Sequence, residues 1–381
     1  IALWQAHQNI FVALASLGIG SIYTRDIASL EGQSEKQLHT VNCCITQGVK
    51  LGILSASLGV LFLAITPATI VHFTLAIFIA ISIFGTALFG SLLCVHQGLG
   101  QLNDVFKLQA SAAGITLILL LCYLLFSVKE PGYYFVSVGG GMLISAMISL
   151  YRLKKTLRIR INVSLKSIWD RLHLSDILIL STSGFFIGLL HYGFRTQVAE
   201  IYGLKFLGNY QVAWMLSNLV SIIIAMIATS VFLPKLSREN SSKSRIQKLL
   251  MFQSSINCSV VLALALWMWF FGELTIAIIS DDGFDEALSI YFQVLFGDIL
   301  RCLTITLSFF FISRRKPTYF ITPDVVYGLT TLSIIYFLPK TPAANIVFLA
   351  HTSGVALALL ASISLAFYMF KKGFSYADFG R

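Results

Sequence analysis

Charge is what this sequence has least of. Only 12% of its 381 residues are Asp, Glu, Lys or Arg, where a soluble domain carries about a quarter. A large core does not explain the deficit, because a core of any size still needs a charged skin. The usual chemical signatures are missing too. There is no GxxxxGK[ST] loop for a nucleotide, no HExxH, no clustered metal ligands and no defensible Ser-His-Asp spacing, so no ATP-driven engine, metal site or catalytic constellation is read from the chain. No cofactor pattern is present. The six cysteines, Cys43, Cys44, Cys94, Cys122, Cys258 and Cys302, form no CxxC pair and have no His at ligand spacing. They read as small apolar fillers of helices. The chain opens at Ile1 with neither Met nor a basic segment, so no signal peptide is read and a missing N-terminal segment is expected.

What the sequence has is apolar length. Hydrophobic residues make up 57% of it, in runs of about 20 that suit hydrocarbon about 30 Å thick. The runs lie near 10–23, 51–70, 73–95, 108–128 and 133–151, then 174–194, 207–233, 251–271, 290–312, 319–338 and 345–370, about eleven in all. They are too long for barrel strands, and backbone polar groups in lipid must be satisfied internally, so they are helices. Gly139, Gly140 and Gly141 lie in one of them and are expected to permit close helix contact. Between 152 and 171 lies a stretch too basic to span, with Lys154, Lys155, Arg158, Arg160 and Lys166. The expected organisation is an N-terminal lobe of five helices over 1–152, a basic cytoplasmic linker over 153–172 and a C-terminal lobe of six helices over 173–381.

A net charge of +10 does not mark a nucleic-acid partner, because the basic residues sit in short loops between apolar runs. Taken alternately, one set of loops holds 22 Lys and Arg and the other holds four, Lys129, Arg195, Lys205 and Lys340. That bias makes the first set cytoplasmic. The acidic stretch with Asp281, Asp282, Asp285 and Glu286 then falls outside. The tryptophans Trp4, Trp169, Trp214, Trp267 and Trp269 fall near span ends, where aromatic belts form.

Ionisable residues inside spans are costly and are candidate functional groups by default. Asp298 and Arg301 lie near the middle of one run, three apart and so on one helix face. They read either as an ion pair fixing helix packing or as a pair lining a polar cavity. The cavity is favoured, because a pair facing lipid would be expensive. His191 and Arg195, four apart, sit at the outer end of another run, where Arg195 is a cavity group or an interfacial anchor. Asp324, after Pro323, is a helix cap or a cavity group. Asp176 reads as an interfacial cap. Arg25 and Asp26 end the first run, and His96 and Gln97 end the third at the interface. His72 and His351 read as ordinary helix-end or packing residues.

Several stretches together resemble a known family. Gly208-Asn209-Tyr210-Gln211, with the long apolar helix that ends Phe232-Leu233-Pro234-Lys235-Leu236-Ser237-Arg238, resembles the eighth helix of polysaccharide flippases in the multidrug/oligosaccharidyl-lipid/polysaccharide exporter (MOP) superfamily. Gly297-Asp298-Ile299-Leu300-Arg301 resembles a tenth-helix motif of that family. Arg195 stands where the family closes its seventh helix with a basic residue, and Gly20 through Ala28, with Arg25, resembles its second-helix end. The pattern is most similar to Wzx-type flippases for enterobacterial common antigen or O-antigen precursors. The resemblance implies a two-lobed, twelve-helix fold that rocks around a central cavity, of which this chain supplies about eleven helices and lacks the first.

The same resemblance implies a function. The substrate would be an undecaprenyl-diphosphate-linked oligosaccharide, moved from the cytoplasmic to the periplasmic leaflet of a bacterial inner membrane by a multi-pass protein that is not an enzyme. Membrane lipids, a polysaccharide polymerase and a chain-length regulator are the implied partners. Arg25, Arg195 and Arg301 would meet the diphosphate, since the guanidinium fork donates two bonds at once. Gln211 and Asp298 would bond sugar hydroxyls, with His191 and Asp324 beside them. With no nucleotide site, the driving force would be the membrane potential, about 2.3 kcal/mol per charge per 100 mV, or proton exchange through Asp298 or Asp324. A multidrug/cation antiporter of the same superfamily, a membrane glycosyltransferase or polymerase, and a receptor remain as alternatives. The short external loops disfavour the enzyme, and the arginines disfavour the antiporter.

Overall fold

In a computed structural model, the structure describes Phe11, Val12 and residues 20–65, 73–125, 132–157, 174–238, 243–279, 286–338 and 343–372. Among these residues every regular element is a helix. Helix α1 covers 20–29. It is followed by α2 (Ser34–Ile65), α3 (Phe73–Gly98), α4 (Leu102–Leu125), α5 (Gly132–Leu157), α6 (Leu174–Ile227), α7 (Leu233–Arg238), α8 (Lys243–Ile279), α9 (Ala287–Ser313), α10 (Pro317–Phe337) and α11 (Ala343–Lys372). Nine spans among the described residues are long and apolar enough to cross a membrane. Their outer faces carry large bare side chains, among them Phe106, Leu125, Trp269 and Phe367, the pattern of helices solvated by lipid rather than water.

The helices outrun the apolar stretches that announce them. The segment 34–50, expected as a loop, is the first half of α2. It is rich in Gln, Asn, Thr and Lys, so hydropathy passes over it, although nothing in it breaks a helix. Likewise 195–206 is no loop. The helix runs on through it and α6 bends only at Gly203, whose φ of 83° and ψ of 166° belong to a backbone region open essentially to glycine. Helix α8 starts eight residues before its expected start and is interrupted at Phe271 (φ −127°). The basic stretch 152–171 opens inside α5, which continues to Leu157; the rest of it, like His72, lies outside the described residues.

The chain forms two compact units, residues 3–188 and 189–381. In the first, α3 packs against α2 and α5, and α5 also packs against α4. Small residues set these distances. A Cβ at Gly139 would overlap Ser82 of α3, and one at Gly141 would overlap Thr116 of α4. The triple glycine thus lets α5 touch two neighbours. Ile79 and Ile83 of α3 and Phe135 of α5 fill a core with Ala56 and Leu63 of α2.

In the second unit, α9 packs against α7, α8, α10 and α11. Its core joins Phe194, Val198, Tyr210 and Ala213 of α6 to Ile290, Tyr291 and Val294 of α9, Ile335 of α10 and Val347 and Ala350 of α11. Between α6 and α7 the chain makes a π-helical turn, Ala228–Phe232, in which Leu233 N–H donates to Ala228 O, five residues back. Helices α9 and α10 join through a tight turn in which Arg315 adopts φ 54° and Lys316 N–H donates to Phe311 O at 3.0 Å.

Candidate functional site

The second unit holds a polar cluster built from four helices. Two limbs of α6 contribute, one on each side of Gly203: His191 and Arg195 from the first, Tyr210, Trp214 and Ser217 from the second. Asp298 and Arg301 come from α9, Tyr327 from α10 and His351 from α11. Asp298 is 2% exposed and accepts a 2.8 Å hydrogen bond from the Ser217 hydroxyl at Oδ1. The imidazole Nε2 of His351 lies 3.3 Å from the same oxygen, without the geometry of a hydrogen bond. On the far side of the ring, Nδ1 is 3.0 Å from the Tyr327 hydroxyl. With Tyr327 donating to Nδ1, the ring proton sits on Nε2 and faces the carboxylate. Gly297 makes this approach possible, since a Cβ there would overlap the His351 ring.

Arg301 takes no part in an ion pair with Asp298 among the described residues. Its guanidinium lies over the indole of Trp214, 5.6 Å from the ring centroid, a cation–π contact. Its Nη1 is buried with no hydrogen-bond partner, as is Asp298 Oδ2. Trp214 also meets His191 at 5.4 Å, Tyr210 at 6.1 Å and His351 at 6.3 Å between ring centroids. His191 meets Tyr327 at 5.8 Å and lies within electrostatic reach of Arg195, Arg301 and His351. Arg195 is 6% exposed and within reach of Tyr210 and Tyr327. Two arginines, one buried aspartate and an aromatic wall therefore share one locality, with polar atoms left over on both signs of charge. Buried polar atoms without partners are expensive in an apolar medium, so the arrangement is suited to a polar or charged guest.

The structure changes several readings taken from the sequence. Arg195 does not close a helix: α6 continues past it to the break at Gly203, so it is not a loop residue. Asp324 lies about two turns inside α10, whose N-terminal flanking residue is Lys316, so it is not a cap. It lies within electrostatic reach of Arg301. The ion pair considered for Asp298 and Arg301 gives way to separate partners for each. Gln211 is buried on α6 beside Tyr210. Asp176 is in the first turn of α6, as a cap would be.

Arg25 is a different case. It belongs to the first unit, is 2% exposed, and is held by its neighbour Asp26 through Nε at 2.7 Å and Nη2 at 3.1 Å. His96 donates or accepts at both ring nitrogens, with Gln101 Oε1 and Ser149 Oγ each at 2.8 Å. The largest correction is His351, which is not a packing residue but the contact between Asp298 and Tyr327. The rule that flagged Asp298, a titratable group inside an apolar run, applies equally to it. Ser217, Tyr210 and Tyr327 carried no such signal.

Compared with solved structures, the chain aligns over nearly its whole length with transporters. The fold is that of the MOP superfamily. An outward-facing multidrug resistance MATE family transporter of that superfamily matches with TM-score 0.73 and 12% identity, over 96% of this chain and 86% of that one. A MATE in complex with MaL6 matches with TM-score 0.75 and 13% identity, over 97% and 88%. A MOP superfamily transporter from Pyrococcus furiosus, described as having a binding pocket of reverse polarity that suggests a different function, matches with TM-score 0.72 and 12% identity, over 95% and 85%. No protein-family model and no curated protein sequence matches the chain. At such identities the MOP likeness concerns the course of the backbone, so the reading of the polar cluster rests on its own residues.

Proposed function

We propose that this chain is a transporter that carries an undecaprenyl-diphosphate-linked oligosaccharide across a bacterial inner membrane, for surface polysaccharide synthesis. The observation that supports it is Arg301, with a buried, unpartnered Nη1 over Trp214, in one cluster with the buried Arg195. A diphosphate cannot cross hydrocarbon unaided, because charge at mid-bilayer is strongly penalised. Two guanidinium forks offer it paired donors of fixed geometry. Trp214 and Tyr327, both half-buried, give sugar rings flat apolar faces, and Asp298 Oδ2 is free to accept from a hydroxyl. The MOP-type fold supports alternating access of two helical lobes, 1–152 and 173–381 joined through 153–172, as the means of moving the head group while the prenyl tail stays in lipid. An inside-negative potential favours outward movement of anions by about 2.3 kcal/mol per charge per 100 mV.

The deciding experiment deletes the gene and identifies the lipid-linked saccharide that accumulates. Accumulation should be reversed by the native chain and not by Arg195→Ala or Arg301→Ala. A second reading, a multidrug/cation antiporter, is favoured by the partnerless Asp298 Oδ2 and by the multidrug transporter among the structural neighbours. Dye efflux that depends on Asp298, with no accumulated lipid-linked saccharide, would establish that reading instead.

A further inference from the structure

A second polar site lies in the first unit, away from the cluster just described. A groove of about 860 Å³ opens between α4 and α5. Its floor is made of residues already satisfied by one another. The Ser111 and Ser145 hydroxyls lie 2.5 Å apart and are 3.0 and 2.8 Å from Leu108 O, three contacts that share their two protons. Ser149 and Gln101 hold the two nitrogens of His96. Thr156 donates to Arg152 O at 3.0 Å. These bonds join three helices and take up the hydroxyl and imidazole groups of the floor.

The spare donors are on the walls. Lys107 of α4 and Arg152 of α5 both line the groove. Lys107 has one weak partner, Asp104, at 3.8 Å, with side-chain exposures of 63% and 44%; a pair so exposed contributes little. Arg152 is exposed, and no described side chain pairs with it. Two apolar residues of the same lining are largely bare: Phe106, 72% exposed, and Ile148 at 42%. Both helices are apolar enough to span a membrane. The groove therefore offers cations and an apolar flank side by side, at helix ends where the chain meets the lipid–water boundary.

We infer that this groove binds the head group of an anionic phospholipid, with Lys107 and Arg152 on the phosphodiester and Phe106 and Ile148 against the first part of the acyl chains. The guanidinium of Arg152 can grip two phosphate oxygens, and Lys107 supplies a point charge. Asp104, at the rim, repels a second anion and can accept from head-group hydroxyls, which suits a glycerol-type head group. Basic pockets between spanning helices are the usual seat of such lipids. The site is independent of the transport reading: either can fail without the other.

Native mass spectrometry of the full chain tests this, with phosphatidylglycerol, phosphatidylcholine and inorganic phosphate as separate probes. One phosphatidylglycerol should remain bound, more tightly than phosphatidylcholine. The double variant Lys107→Gln with Arg152→Gln should lose about 30-fold in affinity for it, the loss expected for two basic side chains near an anionic head group. Lys371→Gln with Lys372→Gln, which removes the same charge elsewhere, should bind as the native chain does. If the double variant does not accumulate, Arg152→Gln alone should give a several-fold loss, because its exposed side chain carries no packing. Equal losses in the groove and control variants would overturn the inference, and so would phosphatidylcholine binding as tightly as phosphatidylglycerol. Displacement of phosphatidylglycerol by inorganic phosphate would assign the groove to a soluble anion instead.

Discussion

His351 Nε2 stands 3.3 Å from Asp298 Oδ1, and the two residues meet only because position 297, one residue before the aspartate, has no side chain. The contact joins α11 to α9 in the apolar middle of a helical unit, where each polar group must find a partner or remain costly. Helix α9 carries the carboxylate and also the gap that admits its partner.

Gly297→Ala should break this contact. The added methyl overlaps the His351 ring, and forced repacking of this kind costs on the order of 1–3 kcal/mol. The thermal midpoint of the purified chain should fall and transport should drop with it. An unchanged midpoint would mean that the ring has room elsewhere and that the contact with Asp298 is incidental.

Arg301→Ala should abolish transport while leaving the protein inserted and abundant. Arg301 shares no ion pair with Asp298 among the described residues, so its loss leaves Asp298 with Ser217 and His351 still beside it. Arg301→Lys should keep part of the activity, since the charge survives and the fork does not. Trp214→Leu should weaken substrate binding more than abundance, because the cation–π contact it removes is worth roughly 0.5–2 kcal/mol. If Arg301→Ala lowers abundance, and replacing both Asp298 and Arg301 by apolar residues restores abundance and transport, Arg301 has a structural role only.

Gly203→Ala should cost about 1–3 kcal/mol, the penalty of placing a side chain in a backbone region that only glycine enters freely. No atom lies within 4 Å of the added carbon, so the loss would be purely conformational. The thermal midpoint reads it. Gly193→Ala, at a helical φ and in ordinary contact with Leu332 at 3.6 Å, should change it far less.

The charge bias of the loops carries a prediction about topology. A cysteine at Ser164, in a chain otherwise freed of its six cysteines, should react with an impermeant thiol reagent only after the inner membrane is opened. Labelling from the periplasmic side in intact cells would invert the assignment.

The sequence announced the helices through their apolar cores and hid their ends. Residues 34–50 fold as helix although Gly48 weakens it, with no proline to stop it, yet Lys36, Gln37, Asn42, Gln47 and Lys50 make them too polar to stand out as an apolar run. The reverse happened at 195–206, where Arg195 and Lys205 looked like a loop and the true break is one glycine, visible only as a dihedral angle. In the site, Asp298, Arg301, His191 and Arg195 were legible because a charge in an apolar run stands out. Their partners were not. Which residue Arg301 meets depends on how α6 packs on α9, and Trp214 and Ser217 look in the sequence like ordinary residues of a spanning helix. His351 obeys the same rule as Asp298 but reads in the sequence as an ordinary helix-end or packing residue, because its neighbours lie across helices.

The π turn at Ala228–Phe232 is in effect one residue more than an α-helix would use to cover the same length. Each residue advances an α-helix by about 100°, and the wider π turn absorbs the extra one, so removing one of the five would give a regular helix whose continuation keeps its bearing. Leu233 and Leu236, now wholly buried, would stay inward, and Lys235 and Arg238 would keep their places beside them. The turn is thus a spare link in the chain: a single-codon deletion there should be tolerated, where the same deletion two turns away would rotate everything that follows.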